Sequence, residues 1–197
     1  MTDSVVDTAA PVARPPKRAR LVAAARQLVY RQGVARTTLA DIAEAADVPL
    51  GNVYYYFKTK DGIIGAVVEA HVEQLKSDIA VLERRHRSPK ARLRGLVDVV
   101  LAERGDLIAR HGCPFGTLSS ELAKQANGSD RMAAPLMQVS LDWAEQQLRA
   151  MGRRDAHDLA VGLVGSFQGA AVLGNALAQP ELVVRQARRL KRWIDAL

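Results

Sequence analysis

Apolar residues recur through most of this chain at the three- and four-residue intervals of an amphipathic helix. The first such segment runs from about residue 17 to 32 and stops at Gly33. A shorter one follows Thr38, a favourable N-cap residue with Asp41 three positions later, in an arrangement close to a capping box. No segment shows the alternation of apolar and polar residues that is typical of strands. The sequence therefore predicts an all-α fold.

Two short helices meet at a tight turn in this region. Pro49 disfavours helical angles in the residue before it, so one helix must end near Asp47 and the next begins at about Pro49 or Leu50. With the first helix in support, this arrangement predicts a helix-turn-helix. We expect Leu50, Val53 and Phe57 to lie on the buried side of the second short helix.

The rest of the chain is predicted to be a helical body, broken at "HRSP", "HGCP", "ANGSD", "GRRD" and Pro180. Its helices are expected at about 61–85, 91–110, 115–122, 131–151 and 155–178, with a last one after Pro180, giving about nine in all. The predicted domain organisation is a disordered N-terminal arm at 1–16, a helix-turn-helix domain at 17–62 and a helical C-terminal body at 63–197.

Positive charge is concentrated in one quarter of the chain. The net charge is +7, and residues 14–60 carry nine Lys or Arg against three acids. This asymmetry is typical of a protein that binds a polyanion, although a mildly basic domain can also arise by chance.

Composition excludes several other classes of protein. A single cysteine cannot form an intramolecular disulfide. The N-terminus has acids and prolines where a signal peptide has a basic start and an apolar run. No stretch approaches the roughly 18 uninterrupted apolar residues of a membrane span. We therefore expect a cytoplasmic protein with no membrane partner.

The aromatic run in "LGNVYYYF", residues 50–57, lies on the second short helix. If Val53 and Phe57 face the core, Tyr54, Tyr55 and Tyr56 spread over the remaining circumference, and a helix this short cannot bury all three. Phenol hydroxyls donate to phosphates, and the rings pack on sugars or thymine methyl groups. We interpret the segment as a DNA-reading helix. Partial packing of one or two rings inside the protein is the alternative.

The segment "GVARTTLADIAEAADVPLGNVYYYFKTKDGII" resembles the DNA-binding segment of the tetracycline-repressor (TetR) family of bacterial transcription regulators. The resemblance covers about residues 17–68 and includes Thr-x-x-x-Ile-Ala, a short turn and an aliphatic-Tyr-x-Tyr-Phe-x-x-Lys run. It implies a homodimer in which three helices bind a double-stranded DNA operator and a fourth helix transmits the effect of ligand binding to them. A variable helical body would bind a small-molecule inducer and dimerise.

Site residues carried over from this resemblance fall into two groups. Phosphate contacts are assigned to Thr38, Tyr54, Tyr56 and Lys60, and base-edge contacts to Leu50, Gly51, Asn52 and Tyr55. Tyr56 stands where many relatives have His, which keeps a phosphate donor but removes a possible pH dependence. The basic residues Arg14, Lys17, Arg18 and Arg20 form either a flexible arm that reaches an adjacent groove or only a solvated tail.

The stretch "HGCPFGTLSSEL", residues 111–122, places Cys113 directly before Pro114 at a predicted helix start. A thiol in that position, with Arg110 and His111 nearby, forms thiolate more readily than a free one. The stretch resembles one branch of the TetR family, in which some members respond to electrophiles. We hypothesise that Cys113 senses electrophiles or oxidants; the alternative is a small buried residue.

Apolar and amphipathic side chains on the body helices predict a mostly apolar cavity for a lipophilic inducer. Any one of these residues could instead be plain core. The predicted lining consists of Cys113, Phe115, Leu118, Leu122, Met137, Trp143, Phe167 and Gln168.

The penultimate helix has three glycines and Ser166 on one side between residues 162 and 169. Because glycine weakens a helix, such a cluster indicates the close approach of another helix. By resemblance this is a homodimer through the last two helices. The alternative is tight packing within one subunit. We expect the apolar area of the interface to come from Leu163, Val164, Phe167, Leu190 and Ile194.

Two other functional classes fit the sequence less well. An enzyme is disfavoured because the four histidines lack metal-ligand spacing and no Gly-rich phosphate loop follows a strand. No metal or cofactor is expected. A nonspecific nucleoid protein would use the basic end alone, and the large apolar body argues against it. We expect a ligand-responsive repressor with a palindromic operator, and activation remains the alternative sign.

Overall fold

The computed structural model describes residues 14–125 and 130–197, apart from the side chains of residues 100–106 and 130. The predicted N-terminal arm therefore lies outside the described residues up to residue 13. Regular secondary structure in the described part is entirely helical, which confirms the all-α prediction. The helices are α1 (Lys17–Arg36), α2 (Leu39–Ala45), α3 (Leu50–Tyr56), α4 (Lys60–Arg85), α5 (Pro89–His111), α6 (Pro114–Ala123), α7 (Asp130–Ala150), α8 (Ala156–Ala176) and α9 (Pro180–Ala196).

Local sequence signals account for the helix ends around the turn motif. Gly33 has φ +84° and ψ 164°, so the regular part of α1 stops there and only a short turn continues to Arg36. Thr38 forms the predicted capping box: its Oγ accepts from the Asp41 N–H at 3.1 Å, and Asp41 Oδ2 accepts from the Thr38 N–H at 2.9 Å. The hydrogen bond from the Thr38 backbone lowers the pKa of Asp41 below its ordinary value.

Two large apolar cores hold the helices together. The first joins α1, α2, α3 and the N-terminal half of α4 to α6 and α7, and includes Leu21, Ile42, Ile64, Leu122 and Leu136. The second lies between the C-terminal half of α4 and helices α5, α7, α8 and α9. The first core therefore crosses the predicted boundary at residue 62, and α7 contributes to both cores.

The helix α8 has an outward face of small and apolar residues. A Cβ added at Gly162, Gly165 or Gly169 would meet nothing within 4 Å in the described part of the chain. Val172 and Leu173 on the same face are largely exposed. By length and composition alone, α8 is also long and apolar enough to cross a membrane. One such helix is weak evidence for a membrane span, but it differs from the expectation that no segment of the sequence is apolar enough.

The apolar residues that were expected to supply dimer area lie elsewhere. Leu163, Leu190 and Ile194 are buried in the second core of the same subunit, and Phe167 packs against it. Val164 and Phe167 face a cavity between the body helices. That expectation was wrong for these residues. Apolar residues at helical spacing indicate that one face of a helix is buried, but they do not indicate which helix covers it.

Candidate DNA interface and effector cavity

The helix α3 presents its aromatic residues to solvent. Val53 is fully buried and Phe57 nearly so, which fixes the inner side of the helix. The exposed fractions of Tyr54, Tyr55 and Tyr56 are 48%, 77% and 38%, so all three rings reach the surface. An aromatic surface of this size on a helix next to a turn is a suitable DNA contact.

Leu50 lies with these tyrosines and not with the core, since its exposed fraction is 43%. The expectation that Leu50 would be buried was wrong, because it is the first residue of α3 and α2 does not cover it. Gly51 beside it is exposed, and a Cβ there would meet nothing within 4 Å. Asn52 is half-buried in the same helical turn.

Arg20 of α1 holds the turn between α2 and α3. Its guanidinium donates to the carbonyl oxygen of Ala46, with Nε at 2.9 Å and Nη2 at 2.6 Å, and also to the carbonyl of Asp47. Asp47 has φ +50°, an unfavourable angle for a residue other than glycine. Arg14 pairs with the Asp47 carboxylate. In the structure Arg20 therefore has a structural role, in contrast to the arm hypothesis.

Thr38 and Lys60 lie at the starts of α2 and α4. The Thr38 hydroxyl oxygen accepts from Asp41, which leaves its hydrogen available to an anion. Lys60 Nζ donates to the Ala35 carbonyl at 3.3 Å and ties the start of α4 to the end of α1. Lys60 is only partly buried, so its ammonium also stays within reach of a ligand at this helix start.

A cavity of about 110 Å³ lies between α4, α5, α6, α7, α8 and α9. Of the predicted lining residues, Phe115, Phe167 and Gln168 border it. The remaining described lining residues are Leu75, Asp78, Leu82, Leu96, Val97, Val99, Ser140, Leu163, Val164, Ala187 and Leu190. The walls are therefore largely aliphatic and aromatic, with three polar side chains.

Gln168 links two other predicted residues to this cavity. Its Nε2 lies 3.4 Å from Cys113 Sγ and 3.7 Å from Met137 Sδ, both weak acceptors. A Cβ at Gly116 would come within 2.3 Å of Gln168 Oε1, so the glycine leaves room for this amide. Cys113 is the N-cap residue of α6 and is 5% exposed, as a small buried residue would be.

The other predicted lining residues are placed away from the cavity. Leu118 and Leu122 are buried in the first core, where α6 packs on α1 and α7. Trp143 is buried in the second core, and its Nε1 donates to Glu83 Oε1 at 3.0 Å on the outer side of α4 and α7. These three side chains serve packing between helices.

Two contacts connect the end of α1 to α6 and to the turn before it. Glu121 Oε2 accepts from the backbone N–H of Val34 at 2.6 Å, and the Tyr30 hydroxyl donates to the Gly112 carbonyl at 2.9 Å. Near its other end α6 carries Phe115, which borders the cavity. The short helix therefore contacts both the cavity and the DNA-binding end of the molecule. Sequence reasoning missed Glu121, because a lone acid gives no sign of a backbone partner far away in the chain.

Comparison with known proteins agrees with this arrangement. The family model described as "Bacterial regulatory proteins, tetR family" matches residues 21–67, which span α2, α3 and parts of α1 and α4. Residues 21–67 therefore have the DNA-binding domain of a TetR-family regulator. The probable HTH-type transcriptional regulator ArpR of Pseudomonas putida is 27% identical over 187 residues, covering 90% of this chain and 88% of that protein.

Over the body helices the similarity is one of overall sequence and of fold. The HTH-type transcriptional repressor DhaR of Mycobacterium sp. (strain GP1) is 29% identical over 170 residues, 81% of this chain and 82% of that protein. A crystal structure of a TetR transcriptional regulator from Legionella pneumophila has a TM-score of 0.81, with 16% identity, 92% of this chain and 98% of that chain covered.

Regulators of this family bind DNA and are not enzymes, so the prediction of a non-catalytic DNA-binding regulator is confirmed. The resemblance of the "HGCP" stretch to one branch of the family stays a prediction, because the matched family model ends at residue 67.

Proposed function

We propose that this TetR-family regulator is a homodimeric repressor that binds a palindromic operator through α3 and leaves it when a small, mostly apolar ligand binds in the body. The observation that carries the proposal is the position of α4. This helix starts at Lys60, beside the reading helix, and its Leu75 and Leu82 form part of the cavity wall. One continuous helix thus joins the two sites.

The DNA contacts follow from exposure and chemistry. Tyr55, the most exposed of the tyrosines, together with Leu50 and Gly51, reaches base edges in the major groove. Thr38 and Lys60 bind phosphates from helix starts, where free backbone N–H groups add to the attraction. Tyr54 and Tyr56 donate from the two sides of α3 to the adjacent backbone. Asn52, half-buried, adds a polar contact in the first turn of the helix.

The dimer is built on the outward face of α8. Helix faces that combine open glycines with exposed Val172 and Leu173 are unfavourable in water and are typical of an interface. Among the described residues a Cβ at these glycines would meet nothing within 4 Å, which favours contact with a second subunit over tight packing within one. A second copy related by a two-fold axis would cover the face and pair α8 and α9 in a four-helix arrangement.

Release from the operator is a shift between two populations. The cavity of about 110 Å³ is smaller than the roughly 300–1,000 Å³ of most ligand sites, so a ligand must move the surrounding helices. Movement of α4, and of α6 through Glu121, changes the separation of the two reading helices from the roughly 34–36 Å of one DNA turn. A ligand that binds more tightly to the form with the changed separation increases the population of that form and so lowers the affinity for the operator.

The test is a fluorescence-anisotropy titration of DNA from immediately upstream of the gene, beside a shuffled duplex of equal length. We expect tight binding to the native duplex with two subunits per site. Tyr55→Ala should weaken it about tenfold or more, whereas Tyr55→Phe, which keeps the ring, should retain part of the affinity.

Salt dependence and a compound screen complete the test. The same titrations at low and physiological salt separate phosphate contacts from base contacts. Equal, salt-sensitive binding to the shuffled duplex, and to the intergenic DNA on both sides of the gene, would contradict a specific repressor and support the nucleoid alternative. Failure of every apolar compound to release the native duplex would refute the ligand response alone.

A further inference from the structure

One acidic residue interrupts the apolar wall of the cavity. Leu75, Asp78 and Leu82 follow one another at helical spacing on the same face of α4, and all three border the cavity. Leu75 and Leu82 are buried core residues, and Asp78 between them is half-buried. A carboxylate at this position is unexpected, because removing it from water carries a cost unless a partner compensates.

The partners of Asp78 within the protein compensate that cost only in part. Gln74 Nε2 donates to Asp78 Oδ1 at 2.9 Å, which orients the carboxylate. None of the lysines, arginines or histidines whose side chains the structure describes forms an ion pair with Asp78. Other acids of the body do have such partners, as Asp98 does with Lys191 at 2.6 Å. Gln74 is exposed and Asp78 half-buried, so the second oxygen of Asp78 is available to a positive group at the rim of the cavity.

The rest of the cavity defines the remainder of the ligand. Phe115 and Phe167 supply aromatic rings, which pack on apolar groups and attract cations at their faces. Ser140 and Gln168 are the only other polar side chains in the described lining, and both are uncharged. An apolar cavity of about 150 Å³ holds a benzene molecule. The present volume of about 110 Å³ is smaller than that, so a ligand of one ring with a short chain requires the surrounding helices to move apart.

We infer that the effector of this regulator is a small amphipathic amine, with its apolar part against Phe115 and Phe167 and its ammonium group paired with Asp78. The inference rests on the proposed function, in which this cavity is the inducer site. It adds the chemical class of the ligand and the residue that selects the charge. Because Asp78 belongs to α4, the ion pair would form on the same helix that begins beside the DNA-reading helix.

The test uses three probes of similar size on the full-length protein: 2-phenylethylamine, 2-phenylethanol and phenylacetate. Binding is measured by isothermal titration calorimetry at neutral pH, where the first is a cation, the second neutral and the third an anion. We expect the amine to bind about tenfold more tightly than the alcohol, and the anion more weakly than both. The isosteric substitution Asp78→Asn should bring the amine to within about twofold of the alcohol.

A matched control separates a local effect from a general change in charge. Glu73 is an exposed acid of α4 that pairs with Lys76 at 2.8 Å, so Glu73→Gln removes the same charge from the same helix outside the cavity. This variant should keep the full preference for the amine. Thermal unfolding of each variant without ligand shows whether it is folded.

Several results would overturn the inference. They are equal binding of amine and alcohol to the wild-type protein, a preference for the anion, a preference for the amine that survives in Asp78→Asn, or no binding of any probe up to its solubility. The operator titration on the same preparation is independent. An operator released only by neutral compounds would leave the proposed repressor function intact while removing the amine. Binding of the amine without specific DNA binding would support the amine site while contradicting the proposed repressor function.

Discussion

Glu121 offers a direct measure of how firmly the effector body holds the DNA-binding end. In Glu121→Ala the backbone N–H of Val34 loses a carboxylate acceptor at 2.6 Å, at a half-buried site. A hydrogen bond to a charged group contributes about 1.5–3 kcal/mol. In a protein of this length each kcal/mol corresponds to roughly 2–4 °C in Tm. We therefore expect Tm to fall by about 3–12 °C.

Two further variants make the measurement specific. Glu121→Gln keeps an acceptor oxygen without the charge, and should lose about half as much as Glu121→Ala. Glu69→Ala removes an exposed acid in the middle of α4 and should leave Tm nearly unchanged. Thermal unfolding followed by circular dichroism is the assay. A Tm of Glu121→Ala within about 1 °C of the wild type would refute the view that this contact stabilises the junction.

The same variants test whether the contact carries the ligand response. If α6 transmits the state of the cavity to α1, Glu121→Ala should show a smaller loss of operator affinity on ligand binding than the wild type. The comparison requires operator titrations with and without ligand at a temperature at which both proteins are folded. An unchanged ratio would assign the transmission to α4 alone.

Two other predictions concern the dimer face and the dependence of stability on pH. Leu173→Arg places a charge on the exposed apolar face of α8 and should yield monomers with greatly weakened operator binding. The oligomeric state is measured by light scattering after size-exclusion chromatography. Val81 is also an exposed apolar residue but lies on α4, so the control variant Val81→Arg should stay dimeric. The hydrogen bond that His157 Nδ1 donates to the Glu145 carboxylate raises the pKa of His157 above its ordinary 6.5. The resulting stabilisation is complete below pH 6.5 and is lost as pH rises through the folded pKa. Between about pH 6 and 8 the Tm of the wild type should therefore fall slightly more than the Tm of His157→Gln. The same change of Tm with pH in both proteins would contradict this prediction.

The helices and the reading surface could be predicted from sequence because their signals are local. Gly33, the capping box at Thr38 and the proline at 49 act within a few residues of themselves, so they fix helix ends without knowledge of the fold. The three tyrosines could not all be buried on a seven-residue helix, whatever its surroundings. That limit alone predicts that at least one of the three rings is exposed.

The cavity was harder to predict because its walls depend on which helices face each other. Leu122 and Phe167 both follow helical spacing, yet one packs in the first core and the other borders the cavity. Periodicity identifies a buried face but gives no information on the neighbour. Asp78 was missed for a related reason: Ile79 beside it fits the apolar repeat, and only the packing of α4 shows that the acid borders the cavity.

The shared first core has a consequence for the synthesis of the protein. Leu21 of α1 packs in one cluster with Leu136 of α7, and 115 positions separate them in the chain. At about 5–20 residues per second, Leu136 is translated roughly 6–23 s after Leu21. The reading helices therefore complete their hydrophobic support only when most of the effector body has left the ribosome. A nascent or prematurely terminated chain that ends before α7 would not occupy operators without control, because it would lack the helices on which its own DNA-binding end is built.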